Sequence, residues 1–488
     1  MLSLHDTTTG ERAEIEPRVS GELSLYVCGP TVYDVPHLGH GRSALVYDVL
    51  RRYLEWSGWR VEHVSNITDI DDKIIARAAE SGRSPFEVAA EYEDAWWAAT
   101  DRLGVLRPTH SPRATEYVEE MVGLISRLVE SGHAYQAPGG VWFSCESVPG
   151  YGLLAHQSLD SLRSGARVEV DEAKRSPVDF ALWKLAKPGE PSWPSPWGDG
   201  RPGWHTECVV MSLDLLGDGF DLHAGGIDLK FPHHENERAQ AVALGNRFAH
   251  HWMHHAFVEV GGEKMSKSLG NYLSLTDLVD KEDPRAFRLL TLRAHYRSPM
   301  EVTPAAIADA TDALGRLDSL ARRLDRLATI AASSSGPASR SPSSGPSSSG
   351  PASSGPASSG PASRSAQHDS DALDRFRNFM DADLDTPRAT ALVFDLIRRA
   401  NASLDSGDAG TGSRLGTAAF EMAKAMGLSP AVDGDEVPPE VGALLDQRAA
   451  ARAAREWAAS DALRSRIAGL GWTVEDGPGG TQNVHPSR

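Results

Sequence analysis

The sequence predicts an α/β protein: a parallel sheet with an inserted domain, followed by a helical bundle and a small mixed C-terminal piece. Three observations carry that reading. Leu23 to Cys28 is a β-like apolar run ending at Gly29-Pro30. Leu45, Val46, Val49, Leu50, Tyr53 and Leu54 recur at helical spacing between about Leu38 and Trp56, and Gly58 follows as a stop. Val61 to Ile67 is again strand-like. Strand, helix and strand in that order make the βαβ unit of a parallel sheet.

The next element opens at Ser84-Pro85-Phe86-Glu87. Ser at the cap, Pro at the first helical position and Glu three residues after the cap satisfy or avoid free backbone donors there. From about Arg107 the pattern is mixed, up to a Pro- and Trp-rich stretch at Pro191 to Trp197. It reads as an insertion between two halves of the sheet. The strand–helix pattern resumes at Phe220 to His223, with a helix from about Pro232 and a strand at Ala256 to Val260. Pro304 to Ile330 is a long helical stretch with leucines at 314, 317, 320, 324 and 327.

Ser333 to Ser365 repeats Ser, Gly, Pro and Ala with a five-residue period and has no acidic residue. Such a tract cannot bury enough surface to offset its ordering entropy, so a disordered tether is expected. It would divide a large N-terminal body from a C-terminal module. That module opens helically, with Leu373, Phe376, Phe379 and Met380, and closes with a mixed piece at Leu470 to Val474. The expected boundaries are 1–106 and 201–263 for the two halves of the sheet domain and 107–200 for the insertion. A lysine loop with helices at 264–332, the tether at 333–366, the bundle at 367–432 and the mixed region at 433–488 complete them.

The 488 residues carry 49 Lys+Arg against 67 Asp+Glu, a formal net charge of −18. That balance argues against non-specific coating of nucleic acid or an anionic membrane. Local clusters run the other way: Arg285, Arg288, Arg293 and Arg297, and Arg448, Arg452, Arg455, Arg464 and Arg466, are candidate RNA-facing patches. Three cysteines exclude a disulfide scaffold and suit a reducing compartment. No basic region followed by an apolar stretch opens the chain and no run of 18 apolar residues exists, so a cytoplasmic protein without a membrane span is expected.

Three motifs could carry chemistry. His37-Leu38-Gly39-His40 lies where the first long helix begins. The N–H groups of a helix start, two imidazoles and a glycine that lets a ligand approach suit a phosphate whose charge grows in a transition state. Alone, the four residues could equally be surface histidines. Lys264-Met265-Ser266-Lys267-Ser268 follows a strand and the turn Gly261-Gly262, and could cover the β- and γ-phosphates of ATP. A solvated basic loop is the alternative, made improbable by the histidine motif upstream.

The third is a candidate metal site. Cys28, Cys208, His233 and Glu237 supply two thiolates, an imidazole and a carboxylate, a set that suits tetrahedral Zn²⁺. His233 and Glu237 would share one face of a helix beginning at Pro232. The alternative is two buried apolar cysteines and a solvated glutamate. Cys145 has no ligand-like neighbour and reads as structural. Asn66 to Lys73 could line a polar pocket at a strand's carboxyl end or cap the next helix. The pairs His250-His251 and His254-His255 read as a strand rather than a metal tract.

Taken together, these blocks resemble the cysteinyl-tRNA synthetases, a family of class I aminoacyl-tRNA synthetases. The resemblance runs through Tyr26 to Asp34, His37 to Arg42, Asn66 to Ile75, Pro112 to Thr115, Gly189 to Gly198, Gly203 to Cys208, Phe231 to Glu237 and Lys264 to Asn271. It is near-continuous to about residue 330 and weaker from 367 to 480. It implies a Rossmann-like class I catalytic domain, an inserted connective domain and an anticodon-binding bundle. It also implies activation of L-cysteine by ATP to cysteinyl-adenylate, then transfer to tRNA(Cys).

By the same resemblance Cys28, Cys208, His233 and Glu237 would hold one Zn²⁺ per chain, which binds the substrate thiolate. His37 and His40 would stabilise the α-phosphate, and Lys264 and Lys267 the leaving pyrophosphate, with Mg²⁺ accompanying ATP. Gly39 and Lys267 would join the histidines in binding ATP. Gly29, Thr68, Trp204 and His223 would line the cysteine pocket. A monomer is the expected assembly. Zn²⁺ favours soft sulfur over a protonated hydroxyl, so no editing domain is required, and none is evident.

Two rival readings are a mycothiol-pathway cysteine ligase and a non-catalytic RNA-binding paralogue. The first lacks an anticodon-binding module, and the second is expected to lose the histidine or lysine motif. The sequence departs from the family pattern in the tether, at Ala224 in place of a glycine, and at Gly480-Thr481-Gln482-Asn483.

Overall fold

Glu22–Val27 (β1), Leu38–Trp56 (α1) and Arg60–Ser65 (β2) form the expected βαβ unit. The computed structural model describes residues 2–165, 174–264, 273–334, 361–431, 438–476 and 482–486. β1 and β2 run parallel, from Glu22 opposite Arg60 to Val27 opposite Ser65. The apolar stripe of α1, including Leu45, Val49, Leu50 and Leu54, is buried, as its spacing requires. Pro85–Arg102 (α2) starts on the expected capping box, with the Ser84 N–H donating to Glu87 Oε2 at 2.9 Å.

The insertion builds its own layer. Behind a helix at Val118–Glu130, the strands Ala134–Ala137, Gly140–Phe143, Phe180–Leu185 and Gly200–Pro202 form an antiparallel sheet in that order. Cys145 is fully buried there, as a structural cysteine should be, and its N–H donates to Asp179 at 3.0 Å.

Trp204–Leu216 (α3), Phe220–Gly226 (β3), Glu235–Ala243 (α4) and Ala249–His255 (β4) complete the second half. The sheet order is β4-β3-β1-β2, all parallel. The chain therefore leaves β1 toward one side and returns at β3 on the other. The crevice beyond the carboxyl ends of β1 and β3 is the topological switch point where such sheets bind ligands. The fourth strand lies one element earlier than expected. Val258–Val260 (β5) pairs instead with Glu263–Lys264 and Met300–Glu301. Four histidines disguise β4 as polar, yet Trp252 to His255 are all buried.

The chain forms two compact units, Met1–Leu317 with Ser335–Ser429, and Asp318–Ser334 with Pro430–Arg488. This differs from a division at the Ser/Gly/Pro tract. Within the first unit, Pro284–Arg293 (α5), the start of Pro304–Ser334 (α6), Pro361–Asp381 (α7), Thr386–Asp405 (α8) and Ala409–Ala425 (α9) join the sheet domain. Phe376 of α7 packs edge-on against Tyr53 and Trp56 of α1, and the Tyr53 hydroxyl donates to Asp381 at 2.6 Å. Burial of these aromatic faces holds the bundle to the body, so the bundle is not the loosely tethered module its flanking composition suggests. Of the expected 333–366 tether, 333–334 end α6 and 361–366 begin α7. Residues 335–360 lie outside the described residues.

The second unit contains Pro439–Ala453 (α10), Trp457–Gly469 (α11) and an antiparallel ribbon of Trp472–Asp476 with Gln482–Pro486. Val441, Leu444, Ile467 and Val474 form its core.

Both expected basic patches need correction. Arg288 is buried and pairs with Asp48, while Arg285, Arg293 and Arg297 pair with Asp283, Asp309 and Asp383. Arg448 is buried against Asp476, which Arg452 also reaches. Their acids lie far away in sequence or just outside the counted windows, so local charge counting misses them. Arg455, Arg464 and Arg466 do lie on the surface.

Candidate active site and metal centre

Cys28 follows β1, Cys208 lies in the second turn of α3, and His233 and Glu237 flank the start of α4. The three segments meet at the switch point. One ligand atom from each of the four side chains lies within 4.8 Å of the others. The Cys28 and Cys208 sulfurs are 3.6 Å apart, Cys28 Sγ is 3.5 Å from Glu237 Oε1, and Cys208 Sγ is 3.7 Å from His233 Nε2. His233 Nε2 is 2.9 Å from Glu237 Oε1. Tetrahedral zinc with bonds of about 2.0–2.3 Å separates its ligand atoms by about 3.3–3.8 Å. The donor set suits that ion, and the three separations that involve sulfur lie in this range, while His233 and Glu237 approach more closely, at 2.9 Å.

Neighbouring groups aim the four. Trp204 stacks on the His233 ring with centroids 3.9 Å apart, and His205 Nδ1 meets His233 Nδ1 at 2.8 Å. His233 Nε2 is thereby turned to the cluster. His223 Nε2 lies 2.6 Å from Glu237 Oε2, leaving Oε1 to face the sulfurs. His234 Nε2 comes 3.3 Å from Cys28 Sγ, and its Nδ1 meets His254 Nε2 at 2.8 Å. Cys28, His223, His234 and Glu237 form a second, overlapping set within the same distance limit.

Burial pushes the Cys28 thiol well above its ordinary range, reinforced by Cys208 and Glu237. Burial acts the same way on Cys208, but hydrogen bonds from Cys28 and His233 bring it down to about 6. Burial alone would depress His233; Glu237 and Cys208 raise it to about 10. Burial opposes the charge of Glu237, yet His223 and His233 hold it well below the carboxylate range. The metal-free cluster thus holds protons that a cation would displace.

A cleft of about 320 Å³ opens beside the cluster, lined by Cys28, Gly29, His37, Gly39, His40 and Trp204 among others. His37 caps α1 by accepting from the His40 N–H at 3.2 Å, and the His37 N–H donates to His40 Nδ1 at 3.3 Å. The rings stack 3.6 Å apart. Both imidazoles are therefore preorganised at a positive helix end. Gly29 cannot be replaced without conflict, since a Cβ there would stand 1.6 Å from the Asn66 carbonyl oxygen.

Two expected pocket residues stand behind the wall. Thr68 is buried, with its hydroxyl donating to Glu207 at 2.6 Å, and His223 is buried against Trp252 and Glu237. Lys264 ends the hairpin that precedes the lysine loop; its side chain, and residues 265–272 including Lys267, lie outside the described residues. Asp71 caps the helix Asp72–Ser81, while Lys73 lines the cleft, so the two readings of that segment both apply.

Sequence reasoning missed Trp96 and Trp97, Asp228 and His255, all on the cleft wall. Asp228 follows Gly225-Gly226 at a strand's carboxyl end, a position that could have drawn attention. The tryptophans carry no local signal, because only the tertiary fold brings α2 to the switch point.

Residues 14–312 match the family described as tRNA synthetases class I (C) catalytic domain. Residues 375–429 match the DALR domain and 434–483 the cysteinyl-tRNA ligase anticodon binding domain. The cysteine–tRNA ligase of Halorhodospira halophila is 42% identical over 492 residues, covering 99% of each chain. That of Alkalilimnicola ehrlichii is 42% identical over 493 residues, again covering 99% of each. A solved Mycobacterium tuberculosis methionyl-tRNA synthetase bound by methionyl-adenylate shares the fold at 16% identity, with a TM-score of 0.60 over 90% of this chain and 96% of that one. Among the described residues, no helix is long and apolar enough to cross a membrane.

Proposed function

The chain belongs to the cysteinyl-tRNA synthetase family, and from that premise we propose that it charges tRNA(Cys) through a zinc-centred cysteine site. It is an ATP-dependent, AMP-forming aminoacyl-tRNA ligase of class I. The carboxylate of L-cysteine attacks the α-phosphorus of ATP, the bond to the β-phosphate oxygen breaks, and pyrophosphate leaves. A terminal hydroxyl of tRNA(Cys) then attacks the adenylate carbonyl and AMP leaves.

The observation that carries the site is the meeting of Cys28, Cys208, His233 and Glu237 beside the imidazole pair of α1. These four, rather than the overlapping set, would hold the ion, because they bring two sulfurs to a thiophilic metal. Zinc held there would supply a soft Lewis acid for sulfur, a chemistry that separates cysteine from serine.

The rest is the work of the protein's own groups. His223 and His205 fix the orientations of Glu237 and His233. Trp204 closes one side of the cysteine site and Gly29 leaves room for the amino acid against the end of β1. His37 and His40 donate to the α-phosphate as its charge grows, and Gly39 lets the nucleotide approach the helix start. Lys264 and Lys267 neutralise the departing pyrophosphate, with Mg²⁺ entering on ATP. Thr68 and His223 act as supports of the cysteine site. We place the enzyme in the cytoplasm as a monomer.

An amino-sugar ligase reading has less support, because anticodon-binding domains match at 375–429 and 434–483. The test is cysteine-dependent ATP–pyrophosphate exchange followed by charging of purified tRNA(Cys), each with and without a zinc chelator. Exchange and charging that both fall on chelation and return with zinc are expected. Exchange without charging would overturn the reading in favour of a ligase with another acceptor.

A further inference from the structure

Glu207 lies in the first turn of α3, beside Cys208, and its side chain is buried. Its Oε2 accepts from the Thr68 hydroxyl at 2.6 Å, while Oε1 has no hydrogen-bond partner among the described residues. A buried carboxyl with an unpartnered oxygen is a cost to folding that an apolar side chain of the same size would avoid. Its presence calls for a role other than stability.

The neighbours of Glu207 form a hydrogen-bond chain with a fixed direction. The Gly29 N–H can only donate, so the Asn66 side-chain atom that it meets at 2.9 Å is the carboxamide oxygen. Asn66 Nδ2 is then the end that faces Thr68 Oγ1, and it donates there at 3.2 Å. Having accepted from Asn66, the Thr68 hydroxyl turns its single hydrogen to Glu207. Asn66 and Thr68 are buried too, so a lost partner is not replaced from bulk water.

The other end of the chain lies at the cleft. Gly29 lines it, packed so closely on the Asn66 backbone oxygen that no Cβ is tolerated. The Thr68 N–H donates to the Pro30 carbonyl at 3.0 Å and the Val32 N–H to the Thr68 carbonyl at 3.2 Å, which laces the segment after β2 to the segment after β1. Asn66 Oδ1 also stands 3.8 Å from Cys208 Sγ. Without an acceptor at Glu207 the Thr68 hydroxyl would turn back on Asn66, and only a flipped carboxamide could accept from it. That flip sets Nδ2 against the Gly29 N–H, donor against donor, where neither finds another partner.

We propose that Glu207 is a positioning residue for cysteine: it ends the one-way chain from Asn66 through Thr68, and so keeps the Asn66 oxygen on the Gly29 N–H at the wall of the amino-acid site. The assignment rests on the cysteine site described above and adds to it a residue that acts through its neighbours rather than on the substrate.

The test measures KM for cysteine and for ATP separately in cysteine-dependent pyrophosphate exchange, on enzymes of equal zinc content. Glu207→Met removes the acceptor at similar size, and should raise KM for cysteine about tenfold, the weight of one unsatisfied buried donor. KM for ATP and kcat should stay close to wild type. Glu207→Gln returns an oxygen to Thr68 and should hold KM for cysteine within about twofold of wild type. Thr68→Val cuts the chain at its middle, and the double variant Thr68→Val/Glu207→Met should be no worse than the poorer single one. An unchanged KM for cysteine in Glu207→Met overturns the proposal, as do equal losses for both substrates or additive losses in the double variant. Should Glu207→Met fail to fold, Thr68→Val and Thr68→Ser carry the same test: serine keeps the hydroxyl and should keep the lower KM, and equal values would overturn the chain. A wild-type enzyme without cysteine-dependent exchange would instead overturn the cysteine-activating function.

Discussion

His223 Nε2 holds Glu237 Oε2 at 2.6 Å, with both side chains fully buried, and so decides which carboxylate oxygen faces the two sulfurs. His223→Ala should weaken zinc binding by roughly 10–100-fold, the usual cost of losing such an outer partner. Competition with a chromophoric chelator measures it. Wild-type affinity in that variant would mean that Glu237 is oriented by something else.

Zinc uptake should depend steeply on pH. In the metal-free protein Cys28 is held well above the ordinary thiol range by burial, and His233 is raised to about 10 by Glu237 and Cys208. Between about pH 6 and 8 both carry protons that a metal must displace, so affinity should fall as pH falls, by up to about tenfold per unit for each displaced proton. Cys208, at about 6, joins only in more acid solution. Calorimetry in buffers of different ionisation enthalpy counts the released protons; a count of zero contradicts the assignment.

Arg288 is sealed in the body against Asp48 and the carbonyls of Leu103 and Gly104. Arg288→Met would strand those acceptors, although Arg52 still reaches Asp48 at 2.8 Å. A loss of about 3 kcal/mol is expected, near the lower end for breaking a buried pair. Denaturant unfolding checks this, and an unchanged midpoint would mean the pair is neutral.

The arginines of the second unit should separate into two classes. Arg466 is exposed on α11, and Arg466→Ala should weaken tRNA binding and reduce the salt slope by about one. Arg448 is buried against Asp476, whose carboxylate it depresses, so Arg448→Ala should destabilise the unit. Filter binding over a salt series, with melting curves alongside, distinguishes them. Equal salt slopes for Arg466→Ala and wild type would remove Arg466 from the RNA face.

The site was more legible in the sequence than the way the bundle is held. The His37–His40 pair stands in a short local pattern, whereas Cys28, Cys208, His233 and Glu237 come from three distant segments and were grouped through the family resemblance; the fold brings them within 4.8 Å of one another. The arginines misled, because a count of charge along the chain cannot see Asp48 opposite Arg288. The Ser/Gly/Pro tract misled in a similar way: its composition suggested a loose module, while the aromatic contact of Phe376 with Tyr53 and Trp56 is set by tertiary packing. β4 was obscured by its histidines, three of which are buried: His254 meets His234 and Thr7, and His255 the Ala256 carbonyl, partners that only the tertiary fold supplies.

Cys28 and Glu237 are separated by 209 residues, with the whole inserted domain between them. On a ribosome adding about 5–20 residues per second, the first ligand emerges roughly 10–40 s before the last. During that interval β1 lacks its neighbour β3, and the first thiol waits without its partners. The order of synthesis thus makes metal capture a late event, after the insertion has had time to fold on its own strands. A chain that stalls within residues 107–200 would expose Cys28 to oxidants with no cation to protect it.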